Sequence, residues 1–279
     1  MTKVLARDGE NKISARLSGR LRTGLKAPPL EHTLCSSMVD IHCHILPAVD
    51  DGSKSWEMTA EMCRVAIADG ITHIVATPHC NPDFLYDRDH LAEMMGDLYD
   101  VACGQLTFSL GCDFHFSSDN IRDVLNDPHR YTIHESNYLL VEFADFGINP
   151  EVTRHLEELG ILGIVPVITH PERNPMMLRH PQLVLDLAQQ GCVVQVTANS
   201  FLGFWGSQSQ KMAEWLLKRE TIHVIATDAH DPSRRRPILS DARDRVAKLT
   251  TGEIAQALVK ANPAAMVAGL PLPYRPALR

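Results

Sequence analysis

From Met38 onward, short apolar runs alternate with helix-like stretches, and this alternation limits the fold more than any other feature of the sequence. The strand-like runs lie near residues 38–43, 71–78, 106–113, 137–143, 163–169, 192–198 and 222–228. The helix-like stretches lie near residues 55–69, 88–103, 118–126, 150–159, 178–190, 208–219 and 239–248. Strand–helix units that recur every 30–35 residues or so, roughly the length of one crossover unit, predict a parallel sheet with right-handed connections.

Six of the strand-like runs end in His, Asp or Glu. The ends are Asp40-Ile41-His42-Cys43-His44, Ala76-Thr77-Pro78-His79, Gly111-Cys112-Asp113, Leu140-Val141-Glu142, Thr169-His170 and Thr227-Asp228-Ala229-His230. In a closed parallel barrel the carboxyl ends of the strands converge on one mouth, whereas an open sheet would spread them apart. We therefore predict an α/β fold, specifically a distorted (β/α)7 TIM-like barrel with these side chains at its mouth.

The side chains at the strand ends, together with Asp51, form a mixed set of imidazoles and carboxylates. The predicted metal ligands are His42, His44, Asp51, His79, Asp113, Glu142, His170, Asp228 and His230. This set suits Mn, Fe or Zn, and it exceeds what one ion accepts, so we expect two or three ions. Such a cluster activates water and binds a phosphoryl oxygen, which points to hydrolysis of a phosphate ester. A His-x-His pair alone is equally typical of hydrogen-bonded surface histidines; the other strand ends favour the metal site.

Arginines close to the predicted ligands are candidates for binding phosphate. Arg173 lies three residues after His170, and its planar guanidinium can contact two phosphoryl oxygens. The alternative is a salt bridge from Arg173 to Glu172 or another acid. Arg234 and Arg235 follow the last strand end, and we expect one of them to contact substrate, although a run of three arginines is also typical of a solvated surface.

Two further features near the predicted mouth have open interpretations. His115 follows Asp113 by two residues, on the same strand face, and is a candidate ligand or hydrogen-bond donor. Phe201, Phe204 and Trp205 follow the sixth strand-like run. They are candidates for a wall that accepts a flat substrate such as a phenyl phosphate, or for ordinary packing.

The composition is that of an ordinary globular protein, with 44% apolar and 22% charged residues. The net charge of −7 argues against nucleic acid or an anionic membrane as the main partner. The seven cysteines form no C-x-x-C pair, which favours free thiols in a reducing cytoplasm. No apolar run approaches the ~20 residues that span a bilayer, so we expect no direct membrane insertion. The phosphate-binding motifs C-x5-R and G-x-x-x-x-G-K-[ST] are absent from the sequence.

Residues 1–37 differ from the rest of the chain. They hold seven Lys/Arg and three Asp/Glu, a net charge of +4 that leaves −11 for the remainder, and they show no apolar period. We predict a disordered N-terminal extension over residues 1–37 and a single domain over residues 38–279. Because Met38 directly precedes the first strand-like run, a translation start at Met38 is a further hypothesis, which the intact mass of the natively expressed protein tests.

Several of these segments, in this order and spacing, resemble the PHP (polymerase and histidinol phosphatase) metal-dependent phosphoesterases. Within that superfamily they look most like the CpsB/YwqE-type bacterial protein-tyrosine phosphatases. The most specific segments are Asp40-Ile41-His42-Cys43-His44-Ile45-Leu46-Pro47, Val49-Asp50-Asp51-Gly52, Leu139-Leu140-Val141-Glu142-Phe143, His170-Pro171-Glu172-Arg173 and Thr227-Asp228-Ala229-His230. The resemblance implies the PHP fold and hydrolysis of phosphotyrosine on a protein, such as a bacterial tyrosine kinase that regulates capsular or extracellular polysaccharide synthesis.

The resemblance also implies a trinuclear site, commonly with Mn²⁺. One ion would take His42, His44, Asp228 and Asp113. A second would share Asp113 and add Glu142 and His170. A third would take Asp51, with Asp50 as the alternative, together with His79 and His230. Arg173 and a later arginine would neutralise charge on the phosphoryl oxygens, and no phosphoenzyme would form. The family usually has Glu where this chain has Asp113.

Two alternative functions remain open at this point. A small-molecule phosphatase, such as a histidinol-phosphate phosphatase, would use the same fold and metal cluster. A phosphotyrosine-binding regulator with weak activity would follow if the shorter Asp113 weakened the site. The oligomeric state does not follow from the sequence.

Overall fold

The computed structural model describes residues 37–144 and 150–278. The strands are β1 (Met38–Cys43), β2 (Ile71–Ala76), β3 (His79–Cys80), β4 (Thr107–Leu110), β5 (Asp113–His115), β6 (Tyr138–Glu142), β7 (Val165–Thr169), β8 (Val193–Thr197) and β9 (Val224–Ala226). The α-helices are α1 (Trp56–Asp69), α2 (Arg88–Val101), α3 (Ser118–Asn126), α4 (Pro150–Ile161), α5 (Pro175–Arg179), α6 (Gln182–Gln189), α7 (Ser207–Lys218), α8 (Ser240–Leu249), α9 (Gly252–Gln256) and α10 (Asn262–Val267). The predicted extension, residues 1–37, lies outside the described residues except for Ser37.

All neighbouring strands are parallel. One sheet has the order β1-β2-β4, and the other has the order β3-β5-β6-β7-β8-β9. Each of the predicted strand-like runs contains a strand, and each predicted helix-like stretch contains a helix. The prediction of a parallel α/β fold is therefore confirmed.

The run near 106–113 forms two strands rather than one. The chain bends at Gly111, where the backbone N–H donates a hydrogen bond to Ala76 O at 2.9 Å. A Cβ atom at Gly111 would lie 3.0 Å from Cγ1 of Val75, so a larger residue would crowd this approach. Past the bend, β5 pairs with β3 and joins the second sheet.

The end of β1 is hydrogen-bonded to the segment that follows β9. His44 N donates to Ala229 O at 2.8 Å, and Asp228 N donates to His42 O at 2.8 Å. A buried apolar cluster also combines side chains of both sheets with the C-terminal segment; it includes Val39, Ile41, Val75, Leu140, Val167, Val193, Val224, Ala226, Ala265, Met266 and Leu272. The two sheets therefore share a core, and the first strand lies beside the last.

The loop between β1 and α1 is fixed at both ends. Ser53 N donates to His44 O at 3.1 Å, and Ala48 N donates to Ser53 O at 2.8 Å. The Ser55 side chain then caps α1 by accepting a hydrogen bond from Met58 N, as an N-cap serine does. The loop that carries two neighbouring aspartates is thus held against the end of β1.

Among the described residues no helix combines the length and the apolar character needed to cross a membrane. The six cysteines in this part of the chain are free thiols. Cys43 and Cys112 are fully buried, and Cys80 is partly buried, so each packs beside a predicted ligand without forming a disulfide.

Candidate metal centre

All nine predicted metal ligands lie together at the carboxyl ends of the strands. They form four overlapping groups, and within each group the potential ligand atoms lie within 4.8 Å of one another. The groups are His44, Asp51, His79 and His230; His42, Asp113 and His170; His42, His44 and Asp228; and His79, Asp113 and Glu142. Because His42, His44, His79 and Asp113 each belong to two groups, the four groups form one continuous cluster.

The His42 and His44 imidazoles face each other across a short gap. Their Nε2 atoms are 3.3 Å apart, and Oδ1 of Asp228 lies 3.5 Å from each of them. Each Nδ1 faces an acceptor: Gln195 Oε1 at 3.1 Å from His42, and Asp50 Oδ2 at 2.7 Å from His44. If both rings are neutral, the hydrogens are on Nδ1 and two Nε2 lone pairs converge, an arrangement that a cation between them stabilises.

Asp113 is a buried carboxylate without hydrogen bonds. Its side chain is fully buried, and neither oxygen accepts a hydrogen bond from the described residues. Oδ2 nevertheless lies 3.5 Å from His42 Nε2 and 3.2 Å from His79 Nδ1. A buried carboxylate that lacks donors is costly unless a cation compensates its charge. The distances also show that the Asp113 side chain, although shorter than a Glu side chain, reaches both neighbouring imidazoles.

The charges of the cluster favour a cation between the rings. Burial lowers the pKa of His42, but Asp113 and Asp228 outweigh burial and raise that pKa to about 9. Burial likewise lowers the pKa of His79, but the neighbouring carboxylates of Asp113 and Asp51 outweigh burial and raise that pKa to about 11. A metal ion would supply the same positive charge and displace these protons, so we expect metal uptake to release protons.

Asp51, His79 and His230 meet at the outer side of the cluster. Oδ1 of Asp51 lies 3.4 Å from His79 Nε2 and 3.3 Å from His230 Nε2. Burial, and then the neighbouring His44, lower the pKa of His230 to about 4, so this ring is neutral at pH 7, as a metal ligand must be. The structure thus brings together the three residues that the resemblance assigns to one ion.

His170, the residue after β7, and Asp228, two residues beyond β9, have left-handed backbone conformations. Their φ angles are 35° and 51°, values that residues other than glycine rarely adopt. Nε2 of His170 lies 3.6 Å from Oε1 of Glu142. Burial, and then the charge of Arg173, lower the pKa of His170 to about 4. Strained backbone at two predicted ligands is typical of a functional site.

Asp50 and Asp51 are neighbours with different surroundings. Asp50 is buried and accepts hydrogen bonds from His44 Nδ1, from Gly52 N at 2.8 Å and from His79 N at 3.2 Å. Asp51 is half-exposed and faces His79 and His230 instead. Asp51 is therefore the candidate ligand, whereas Asp50 orients the His44 ring, a role that the sequence alone does not indicate.

We expect Asp50→Asn to weaken metal binding about 10- to 100-fold, because an amide oxygen holds the His44 ring less firmly than a carboxylate does. Metal titration followed by calorimetry measures this effect. Asp97→Asn, at an exposed position of α2, is the matched control and should leave the affinity unchanged. Equal metal affinity in Asp50→Asn and wild type would contradict the orienting role.

Arg173 and Arg235 both reach Asp228 at the edge of the cluster. Nη1 of Arg173 donates to Oδ2 of Asp228, and Nη2 of Arg235 donates to the same oxygen at 2.6 Å. The guanidinium of Arg173 also lies over the ring of Trp205, 3.9 Å from its centroid. Two arginines beside a metal-binding cluster can neutralise an anionic ligand.

Arg234 and Glu172, which neighbour these arginines in the sequence, do not contact the predicted ligands. Arg234 is exposed, and its backbone N–H donates to Asp231 Oδ1 at 2.6 Å; Arg235 is the member of the pair that contacts a predicted ligand. Glu172 is fully buried and accepts hydrogen bonds from Thr197 N at 3.0 Å and Ser200 Oγ at 2.6 Å. Arg173 thus forms a salt bridge with an acid, as in the alternative stated from the sequence, and that acid is Asp228 rather than Glu172.

A cleft of about 390 Å³ opens beside the cluster. Its walls include Glu142 and His170 of the cluster, together with Arg173 and Trp205. Of the three aromatic residues in the predicted wall, only Trp205 lines this cleft; Phe201 is buried in the core, and Phe204 is exposed and packs against Trp205 at a ring distance of 5.0 Å. Nδ1 of His115 lies 3.7 Å from Oε2 of Glu142, at the rim of the cluster.

The donor set fits one or more divalent ions. Ligand atoms that share an ion at about 2.1 Å lie roughly 3.0–3.4 Å apart, close to the separations found here. The unpartnered oxygens of Asp113 and the facing Nε2 atoms of His42 and His44 are the particular observations that a bound cation explains. Mixed imidazole and carboxylate donors without thiolate are typical of Mn, Fe or Zn sites.

The chain is similar to known proteins over most of the described residues. The family model described as capsular polysaccharide synthesis, CpsB/CapC, matches residues 38–268. The chain is 31% identical over 202 residues to the tyrosine-protein phosphatase YwqE of Bacillus subtilis, covering 71% of this chain and 79% of YwqE. It is 33% identical over 202 residues to the putative tyrosine-protein phosphatase CapC of Staphylococcus aureus, with the same coverage of both chains.

A solved structure has a similar fold. It comes from work on YwqE of Bacillus subtilis and CpsB of Streptococcus pneumoniae, which are called metal-dependent tyrosine phosphatases. The TM-score is 0.78 at 28% identity, and the match covers 87% of this chain and all of that one (100%). On the extent of the family match and the identity to its members, this chain belongs to the CpsB/CapC family.

Proposed function

We propose that this protein is a metal-dependent phosphatase that hydrolyses phosphotyrosine on proteins. The observation that carries the proposal is the convergence of nine potential metal ligands beside a cleft lined by Arg173 and Trp205. The names of its relatives support the substrate class, because YwqE and CpsB are tyrosine-protein phosphatases.

The nine predicted ligands would hold two or three ions, for which Mn²⁺ is our proposal and Fe or Zn the alternatives. His42, His44, Asp113 and Asp228 would hold one ion; Asp113, Glu142 and His170 a second; Asp51, His79 and His230 a third. Metal ions in such a site polarise the phosphoryl group and make water nucleophilic near neutral pH. The short Asp113 arm reaches two imidazoles, which supports an active site rather than a binding-only regulator.

The residues of this chain bind and orient the phosphate. Arg173 is charged, because Asp228 and Glu172 outweigh the effect of burial and raise its pKa. Its planar guanidinium would donate two parallel hydrogen bonds to phosphoryl oxygens, and Arg235 would add a second positive charge as the charge on those oxygens grows. The Trp205 ring holds the Arg173 side chain from one face and so restricts its orientation.

The fold proposal is a closed, distorted (β/α)7 barrel of the PHP type within a single domain over residues 38–279. β2 is followed directly by β3, and β4 by β5, so the nine strands can be counted as seven barrel strands. The backbone β-bridge between Cys43 and Ala229 would join the first of these to the last. The shared apolar cluster would then fill the interior. The free thiols support a cytoplasmic location.

Phosphate release from a phosphotyrosine peptide tests the function. Metal-stripped protein should be inactive, and reloading with Mn²⁺ should restore release from the peptide, with histidinol phosphate as the parallel substrate. The partner that we propose is a bacterial tyrosine kinase that regulates polysaccharide synthesis, in line with the family description. Turnover of histidinol phosphate alone would instead identify a small-molecule phosphatase, and no turnover of either despite bound metal would identify a binding protein.

A further inference from the structure

A second depression lies next to the cleft of the candidate metal centre. This flanking groove has a volume of about 640 Å³ and is lined by Pro175, Leu178, Arg179, Lys211, Met212 and Trp215, among others. Pro175 also lines the cleft, so the two depressions meet at this residue. The groove lies between α5 and α7, which pack against each other. A chain that places one side chain in the cleft can therefore continue into the groove.

The flanking groove is positively charged. Arg179 and Lys211 are exposed, and neither forms an ion pair within the described part of the chain. Among the described residues no acidic side chain lines the groove, although acids outnumber bases 34 to 27 in the sequence. The groove therefore differs in charge from the protein as a whole and favours an anionic partner.

The floor of the same groove is apolar. Met212 is buried, while Leu178 and Trp215 are partly buried and present apolar area in the groove that Arg179 and Lys211 also line. A free inorganic anion would use the charges but not this floor. An extended peptide can use both, with acidic side chains toward Arg179 and Lys211 and its apolar atoms on the floor.

We propose that the flanking groove binds the residues next to phosphotyrosine in the protein substrate and selects substrates with acidic residues there. The proposal rests on the proposed function, because it requires that the phosphotyrosine side chain occupy the cleft. Arg179 and Lys211 then determine specificity without contacting the phosphate.

The test compares two phosphotyrosine peptides that differ only in flanking Glu or Gln, with p-nitrophenyl phosphate as a substrate too small to reach the groove. Wild-type protein loaded with Mn²⁺ should hydrolyse the Glu peptide with a kcat/KM about three- to tenfold higher, the size expected for one or two exposed ion pairs. In Arg179→Glu/Lys211→Glu this preference should vanish or reverse, while kcat/KM for p-nitrophenyl phosphate should remain unchanged.

Two control variants separate groove binding from a general charge effect. Lys248→Glu/Lys260→Glu makes the same charge change at exposed positions outside the groove and should keep the preference. Arg179→Lys/Lys211→Arg keeps both charges and should also keep it. Equal kcat/KM for the Glu and Gln peptides in wild type would overturn the groove proposal alone. No hydrolysis of any of the three substrates would overturn the proposed function, and the groove proposal with it.

Discussion

Alanine in place of His42 is expected to remove bound metal and to lower phosphatase activity by about a thousandfold or more, since metal ions supply several kcal/mol of transition-state stabilisation. A large effect is expected because His42 belongs to two of the four ligand groups. Losing it also leaves Asp113 and Asp228 as buried carboxylates with one fewer neighbouring imidazole. Elemental analysis of the purified variant, together with kcat/KM on a phosphotyrosine peptide, measures both effects.

His155→Ala is the matched control, since His155 lies on α4 and pairs with Glu158 at 2.9 Å, outside the cluster. This variant should retain its metal and its activity. Far-ultraviolet circular dichroism should show that both variants are folded. Wild-type turnover in His42→Ala would contradict the cluster, and so would an equal loss in the two variants.

Lysine in place of Arg173 is expected to lower kcat/KM by about a hundredfold or more while the metal content stays at the wild-type level. Lysine keeps the positive charge but cannot donate two parallel hydrogen bonds, and loss of one donor to a developing oxyanion typically has an effect of about this size. Lysine also lacks the planar group that lies over Trp205. Steady-state kinetics and elemental analysis on the same preparation measure the two quantities.

Arg64→Lys is the control for that substitution, because Arg64 is exposed on α1 and pairs only with Glu61 among the described residues. It should be indistinguishable from wild type. If Arg173→Lys lost metal in proportion to activity, Arg173 would act through its contact with Asp228 rather than on the phosphate. That result would contradict the proposed role.

The positions of strands and helices could be predicted from the sequence because apolar runs and caps are local signals. Ser55 and Gly70 bound α1 as an N-cap and a left-handed C-cap do, and β1 coincides with its predicted range. The division of residues 106–113 into β4 and β5 could not be predicted, since it depends on the close approach of Gly111 to Val75. The helices after α8 were missed because no strand follows them to complete another strand–helix unit.

The types of metal ligand could also be predicted, because the carboxyl ends of parallel strands lie at one edge of the fold and several of them carry His, Asp or Glu. The residues that hydrogen-bond to the metal ligands could not be predicted from the sequence. Gln195 lies within β8 and reaches Nδ1 of His42, but its sequence neighbourhood reads as an ordinary buried strand. Asp50 and Asp51 are chemically identical neighbours, and only their hydrogen bonds distinguish the orienting residue from the candidate ligand.

The contact between the first strand and the segment after the last strand has a consequence for biosynthesis. Asp40 accepts a hydrogen bond from Thr227 N at 2.9 Å, across 187 positions of sequence. A ribosome must therefore synthesise most of the chain before the side chains of His42 and Asp228 can come into contact. Contacts of such long range form slowly, and until then the strand edges are exposed. A nascent or truncated chain that ends before β9 therefore lacks Asp228 and His230, and its remaining histidines and carboxylates cannot complete the centre.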